Sequence, residues 1–402
     1  MRDVYVFDAI RTPRGKGKAD GALAKAPPHE LIRQLTNALR ERVGADAVAK
    51  VERLVLSAVG QVGAQGGHLA LVSRMWSELP DDVSCMTINN FCVGGLTAFD
   101  TLAADIRAGG VDLAIAAGVE CMSQVPFLAD KASYYVDRGL SEALAYVPVA
   151  LSADYMAHRE GIARETLDEL THQSHQKAAA AWKAGAFERS VVPVRNEDGS
   201  TALDRDECIR ASMGLDKLAA LAPAFEAEGR AGYDDLVRSR KPEIGYINHS
   251  LTVAHCPPIA DGAAIALLGD LDAGRALGLE PLARVVGWKE AAADPVDQLT
   301  AGFAAMDGLL AKTGLGLDRF GLIEFMEAFA PTPAKFYRDY EPDPDRVNVN
   351  GGHLAMGHPM GATGLILLAT LAHEMRARDE ELGLVVAHGG SGVGAACVLE
   401  RA

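Results

Sequence analysis

The chain has 402 residues, of which 49% are hydrophobic and 23% charged, and carries a formal net charge of -15. This is the composition of a folded globular protein with room for two or three domains, and the acidic excess argues against a nucleic-acid partner. No apolar run reaches the length of a membrane span and residues 1–8 hold no signal-type apolar core, which predicts a cytoplasmic protein without membrane insertion.

In chain order, short β-favouring runs at 4–7, 54–57, 86–88 and 113–117 alternate with amphipathic helical stretches in the first third. Between them, Arg11, Arg14, Lys16 and Lys18 form a basic run that reads as a solvated loop or a subunit contact. A more polar stretch, 123–251, follows; it contains a helix at 165–186 and irregular pieces at 195–201 and 226–250. It reads either as a cover for a ligand site or as a plain insertion. The last third repeats the opening order, with strands expected at 283–288, 322–325, 347–349 and 384–387 and a closing strand at 395–399. The repeated order points to a duplicated α/β unit.

Cys92 stands between the run 85–88 and a helix in which Leu96, Phe99, Leu102, Ala103 and Ile106 recur at helical spacing until Gly109-Gly110. A thiol at the positive end of a helix is expected to be a thiolate, the form that attacks carbonyls. The other reading is a buried structural cysteine. His358 lies among glycines in 350–364, with Pro359 fixing the backbone after it and a helix expected from Leu365. It can take a proton from a cysteine or donate to a carbonyl oxygen, or serve only as a loop histidine. His388 ends an apolar run that enters Gly389-Gly390-Ser391-Gly392, a turn able to aim N–H groups at an oxyanion. It can be an acid/base or a turn cap. No G-x-S-x-G elbow is present and the six cysteines lack metal-ligand spacing, so acyl transfer through a cysteine thioester fits better than serine or metal hydrolysis.

Six segments, in order, resemble the thiolases: Asp8–Pro13 as D-A-I-R-T-P, Asn90–Leu96 as N-F-C-x-G-G-L, Gly118–Ser123 as G-V-E-C-M-S, Ala260–Ala264 as A-D-G-A-A, Glu327–Ala330 as E-A-F-A, and Asn348–Gly364 around G-H-P. The resemblance implies a thiolase-like duplicated, five-layered αβαβα fold with an inserted loop domain. Its expected division is an N-terminal half at 1–122 plus 252–272, a CoA-covering loop domain at 123–251 and a C-terminal half at 273–402. It implies that Cys92 carries the acyl group, that His358 activates it and contributes to one oxyanion hole, and that the N–H groups of Cys92 and Gly390 form the other. Arg210, Lys217, Phe225, Pro257, Met326 and Phe329 then fall at substrate- or CoA-binding positions. The implied reaction is cleavage of 3-oxoacyl-CoA by CoA, or the reverse Claisen condensation, in fatty acid β-oxidation or related lipid metabolism. Coenzyme A is a substrate there, with no bound cofactor or metal. The implied partners are acyl-CoA, a second copy in a homodimer or tetramer, and a multifunctional β-oxidation protein.

The chain departs from the family pattern at three of these places. His388 stands where thiolases carry a second catalytic cysteine, Met326 where an asparagine precedes Glu-Ala-Phe, and Pro257 where a serine lies near CoA. These departures leave open an unusual acyl group, a different acyl transfer, or a weakened subunit that binds acyl-CoA. His388 is the expected substitute acid/base, since an imidazole titrates nearer neutrality than a thiol.

Overall fold

The computed structural model describes residues 1–402. Strand β1 (Tyr5–Arg11), helix α1 (Pro28–Val43), β2 (Arg53–Ser57), α2 (Leu69–Trp76), β3 (Ser84–Ile88), α3 (Gly94–Ala108) and β4 (Leu113–Cys121) form the first third. The chain then makes a largely helical excursion that includes α4 (Val149–Arg159) and α5 (Arg164–Ala184), and returns to the sheet as β5 (Ala260–Gly269). The last third supplies β6 (Ala283–Ala292), α6 (Ala301–Thr313), β7 (Leu322–Phe325), α7 (Thr363–Arg378), β8 (Leu382–Gly389) and β9 (Val393–Arg401).

The side-chain pattern explains each layer. Helix α1 opens on a proline in its first turn and buries Leu31, Ile32, Leu35 and Leu39, one face at helical spacing. Helix α3 ends at Gly109, which is left-handed at φ 81, as the Gly109-Gly110 pair predicts. Helix α7 has no polar face in its first thirteen residues, Thr363 to Met375, all of which are buried. A helix buried all round must be covered all round, and α7 lies beside α3 in the middle of the molecule.

The strands, with the two-residue strand Gly15–Lys16 that pairs with β5, join in one ten-stranded sheet whose two parts follow the same order. In the N-terminal part the order is β3-β2-β4-β5-β1, with β2 parallel to β3 and β4, and β5 antiparallel to both β4 and β1. In the C-terminal part it is β7-β8-β9-β6, with β7 parallel to β8 and β9 antiparallel to its two neighbours. The parts meet where β1 pairs with β6 at Tyr5–Arg284 and Val6–Ala283. The strand expected at 347–349 is not formed. Val347 makes a single bridge to Ile323, at the edge position that β3 fills in the other half, and the chain turns away at Asn348, where φ is 44. Three apolar clusters complete five layers: α1 and α2 against one sheet face, α3 and α7 in the middle, and α6 on the far face.

The basic run is not a solvated loop. Arg11 and Arg14 are buried, and Asp206 from the excursion receives both Nη atoms of Arg11 at 2.8 and 2.9 Å and the backbone N–H of Arg14 at 2.8 Å. Only Lys16 and Lys18 face outward. A carboxylate 192 residues away in sequence overrides the local hydrophilicity.

Glu324 on β7 is also buried, and burial, with Glu374 and Glu327 nearby, pushes its carboxyl up to about 8. Between the ordinary carboxyl range near 4.5 and about 8, the folded chain therefore holds a proton that the unfolded chain has lost. Stability is expected to fall as pH rises through that window, by up to about 1.4 kcal/mol per pH unit from this group. Glu324→Gln should flatten that slope in urea titrations at pH 5 to 8; an unchanged slope would assign it to other groups.

Candidate active site

The repeat places two connections at equivalent points of the two halves, each leading into a central helix. The turn from β3 into α3 carries Cys92, and the loop from Val347 into α7 carries His358. Asn89 Oδ1 accepts the N–H of Phe91 at 2.9 Å, and Phe91 adopts φ 46, which turns the chain just ahead of the thiol. The turn is pressed against β2: a Cβ on Gly94 would lie 2.1 Å from Ser57 Oγ. From the C-terminal half, the end of β8 also packs on this turn, since a Cβ on Gly389 would lie 3.2 Å from the nitrogen and Cβ of Cys92. The Gly390 N–H then points at the Cys92 sulfur.

This closure reverses the expectation of a ready thiolate. Burial pushes the Cys92 thiol up to about 12, and the Glu120 carboxylate adds to the rise; the N–H groups of Gly390 and Cys92 oppose it without prevailing. The helix-terminal effect is small beside the loss of water around the sulfur. Cys92 therefore rests as a thiol and needs a proton acceptor.

His358 has the geometry of one. Its N–H donates to Pro258 O at 2.9 Å, which fixes the backbone. Thr363 donates its hydroxyl to Pro359 O at 3.2 Å, so its oxygen is left to accept Nδ1–H of His358 at 2.7 Å. Nε2 then bears the lone pair, and it has no protein partner. Burial lowers the imidazole to about 3, so at pH 7 it is neutral, a weaker base than a free imidazole but with its lone pair unprotonated. His353 packs edge-on at 5.6 Å behind it.

His388 is fully buried at the end of β8. Its Nε2 donates to Ala328 O at 3.0 Å and its backbone N–H donates to the Met326 sulfur at 3.4 Å. Burial lowers the ring to about 4.

A cavity of about 260 Å³ joins these groups. Cys92, His358, His388, Gly390, Phe225, Pro257 and Phe329 all line it, together with apolar side chains such as Val125, Phe127, Leu128 and Val147 from the excursion. Three other candidates lie elsewhere. Met326, the residue after β7, is buried in the central core and is not part of the cavity lining. Arg210 and Lys217 are exposed and outside the lining; the Arg210 N–H donates to His175 Nδ1 at 3.0 Å and Lys217 Nζ to Ser212 O at 3.3 Å.

Two buried carboxylates that carry no role in the sequence reading hold the site's loops. Glu120 accepts N–H groups from Val59, Gly60 and Gly361, each at 3.0 Å, and so ties the His358 loop to the end of β2. Glu327 accepts from Ser174 at 2.7 Å, Asn348 at 3.1 Å and Leu354 at 3.2 Å. Both sit in the segments quoted for the family resemblance, but that signal marks position without purpose. No group of three or more His, Cys, Asp or Glu side chains is arranged to hold a metal ion, and no helix is long and apolar enough to cross a membrane.

Comparison with known proteins agrees with this architecture. The thiolase N-terminal domain model matches residues 4–232 and the thiolase C-terminal domain model matches 279–401. An acetyl-CoA acetyltransferase of Pseudomonas aeruginosa is 33% identical, with 100% of both chains covered. A 3-ketoacyl-CoA thiolase of Bacillus subtilis is 31% identical over 100% of both chains. The crystal structure of human mitochondrial 3-ketoacyl-CoA thiolase superposes with a TM-score of 0.85 at 27% identity, covering 100% of this chain and 99% of the other. With both domain models matched in order and relatives similar from end to end, the chain belongs to the thiolase family and is an acyltransferase that acts on acyl-CoA.

Proposed function

We propose that the protein cleaves a 3-oxoacyl-CoA with CoA, giving acetyl-CoA and a shortened acyl-CoA, or runs the reverse condensation, through an acyl thioester on Cys92. The observation that carries this reading is the convergence of a thiol, an unpartnered imidazole nitrogen and an aimed backbone N–H on one apolar cavity. His358 Nε2 takes the thiol proton, Cys92 attacks the 3-oxo carbon, and the N–H groups of Gly390 and Cys92 receive the oxyanion. Free CoA then collects the acyl group from the sulfur.

Coenzyme A enters as substrate. Phe225, Pro257 and Phe329 supply an apolar wall for its thiol-bearing arm, and Arg210 and Lys217 are cationic side chains outside the cavity for its phosphates. The cavity greatly exceeds an acetyl group, which favours an apolar acyl chain and a place in fatty acid β-oxidation. The edge strand β3, with Met86 exposed beside Met75 and Trp76 of α2, suits pairing with a second copy in a homodimer, two of which would make a tetramer. A cytoplasmic enzyme, alone or with a multifunctional β-oxidation partner, completes the reading. Met326 and His388 favour one second reading, an acyl-CoA-binding subunit with a weakened site.

Intact-mass measurement after mixing with acetoacetyl-CoA and a longer 3-oxoacyl-CoA separates the two. The expected result is an acyl-sized adduct on the wild type that is absent from Cys92→Ala. Binding of CoA without any adduct would support the binding subunit instead.

A further inference from the structure

We propose that His388 is a positioning residue and that His358 alone performs both proton transfers of the carbon–carbon bond cleavage; this rests on the cysteine-thioester reading above. A neutral imidazole has one N–H and one lone pair. In His388 the N–H is spent, because a carbonyl oxygen can only accept and Ala328 O lies 3.0 Å from Nε2. The lone pair is therefore on Nδ1. That atom is buried without a partner and faces helix α6: a Cβ on Gly302 would lie 3.0 Å from it, and Gly302 is not part of the cavity wall. Neither nitrogen is free to meet a substrate carbon.

The ring instead braces the site. It rests 5.6 Å from the Phe325 ring, its backbone is held by Met326, and its Nε2 fixes the carbonyl of Ala328, a wall residue. The next two residues are Gly389, packed on Cys92, and Gly390, the oxyanion donor. Two of the three departures from the family pattern, Met326 and His388, thus touch each other and form one strut. The cavity's other thiol, Cys256, is turned toward Thr252 O at 3.6 Å. Neither ring nitrogen of His353 has a hydrogen-bond partner, but the residue lies outside the cavity lining. His358 Nε2 is the imidazole nitrogen left available.

One imidazole balances the chemistry. His358 Nε2 takes the Cys92 proton, and the thiolate adds to C3 of the 3-oxoacyl-CoA. The tetrahedral oxyanion collapses, the C2–C3 bond breaks, and its electron pair goes to C2 as the enolate of acetyl-CoA. The proton on His358 Nε2 then passes to C2, which leaves acyl-Cys92 and a neutral imidazole. In the condensing direction His358 Nε2 removes the C2 proton of acetyl-CoA, the carbanion attacks the acyl thioester, and the departing Cys92 thiolate recovers that proton.

The test compares Cys92 acylation, read by mass, with C2 deuterium exchange of acetyl-CoA and with 3-oxoacyl-CoA cleavage, in variants shown to be folded by thermal melting. His388→Gln can still present an amide N–H to Ala328 O and is expected to keep acylation, exchange and cleavage within about tenfold of wild type, in unchanged proportion. His388→Asn presents its amide at the Nδ1 place and should lower all three together, by on the order of 10²-fold for a misplaced oxyanion donor. If His388→Gln acylates normally but loses exchange and cleavage by roughly 10²–10⁴-fold, His388 is a second acid/base and the proposal fails. His358→Gln gives an independent arm that leaves His388 untouched: exchange should vanish, and exchange that persists overturns the proposal. A wild type that forms no adduct on Cys92 would instead refute the thioester reading itself.

Discussion

His358→Gln is expected to slow acylation of Cys92 by roughly 10²–10⁴-fold at neutral pH, the usual worth of a positioned general base. The reason is the thiol's environment. Burial holds Cys92 at about 12, so without an acceptor only a minute fraction is thiolate at pH 7. That fraction grows about tenfold with each pH unit below the pKa. The residual rate of the variant should therefore climb about tenfold per pH unit between pH 7 and 10. Wild-type acylation should stay nearly flat there, because His358, lowered to about 3, is already free to accept a proton across the whole range. The acyl adduct followed by mass at several pH values checks both slopes. A pH-independent residual rate in the variant would mean that another group takes the proton.

Asp206→Ala is expected to cost about 3–5 kcal/mol of stability, the penalty of leaving buried cations without their counter-charge. Asp206 has a fully buried side chain, pairs with Arg11 through both oxygens, and also accepts from Arg14 and from Trp182 Nε1 at 3.2 Å. Arg11 and Arg14 hold its carboxyl down at about 2 despite burial. Urea titration at fixed protein concentration measures the loss. Activity should fall with stability, since Arg14 Nη1 also donates to Gly357 O at 3.1 Å, one residue before His358. A loss under 1 kcal/mol would show that water enters to solvate the two arginines.

Much of this molecule is readable before it folds. The helix from Gly94 to Ala108 shows in its apolar spacing and its closing glycines, and the one at Arg164–Ala184 ends at Gly185, left-handed at φ 76, near the expected 186. The duplication appears in the alternating runs and returns as a shared strand order, one edge strand short in the C-terminal part. Cys92, His358 and Gly390 stand out because glycines crowd each of them, and glycine density marks where backbone must approach backbone or ligand. Local rules fail where a distant group decides. Residues 347–349 have the composition of a strand, yet after one bridge the chain turns away to build the His358 loop. Arg11 and Arg14 look solvent-bound until Asp206 arrives from the excursion. Met326 aligns with a site position, but its side chain packs in the central core.

The sequence by itself determined the periodicities, the turn glycines and the identity of the reactive groups, because these depend on neighbours within a few residues. Tertiary structure alone decided the protonation of Cys92, the free nitrogen of His358 and the commitment of His388 to Ala328 O. Each is set by water exclusion and by hydrogen-bond partners, which are properties of an enclosed space. The walls of that space come from segments as far apart as Val59 and Ser391, and only the folded chain brings them together.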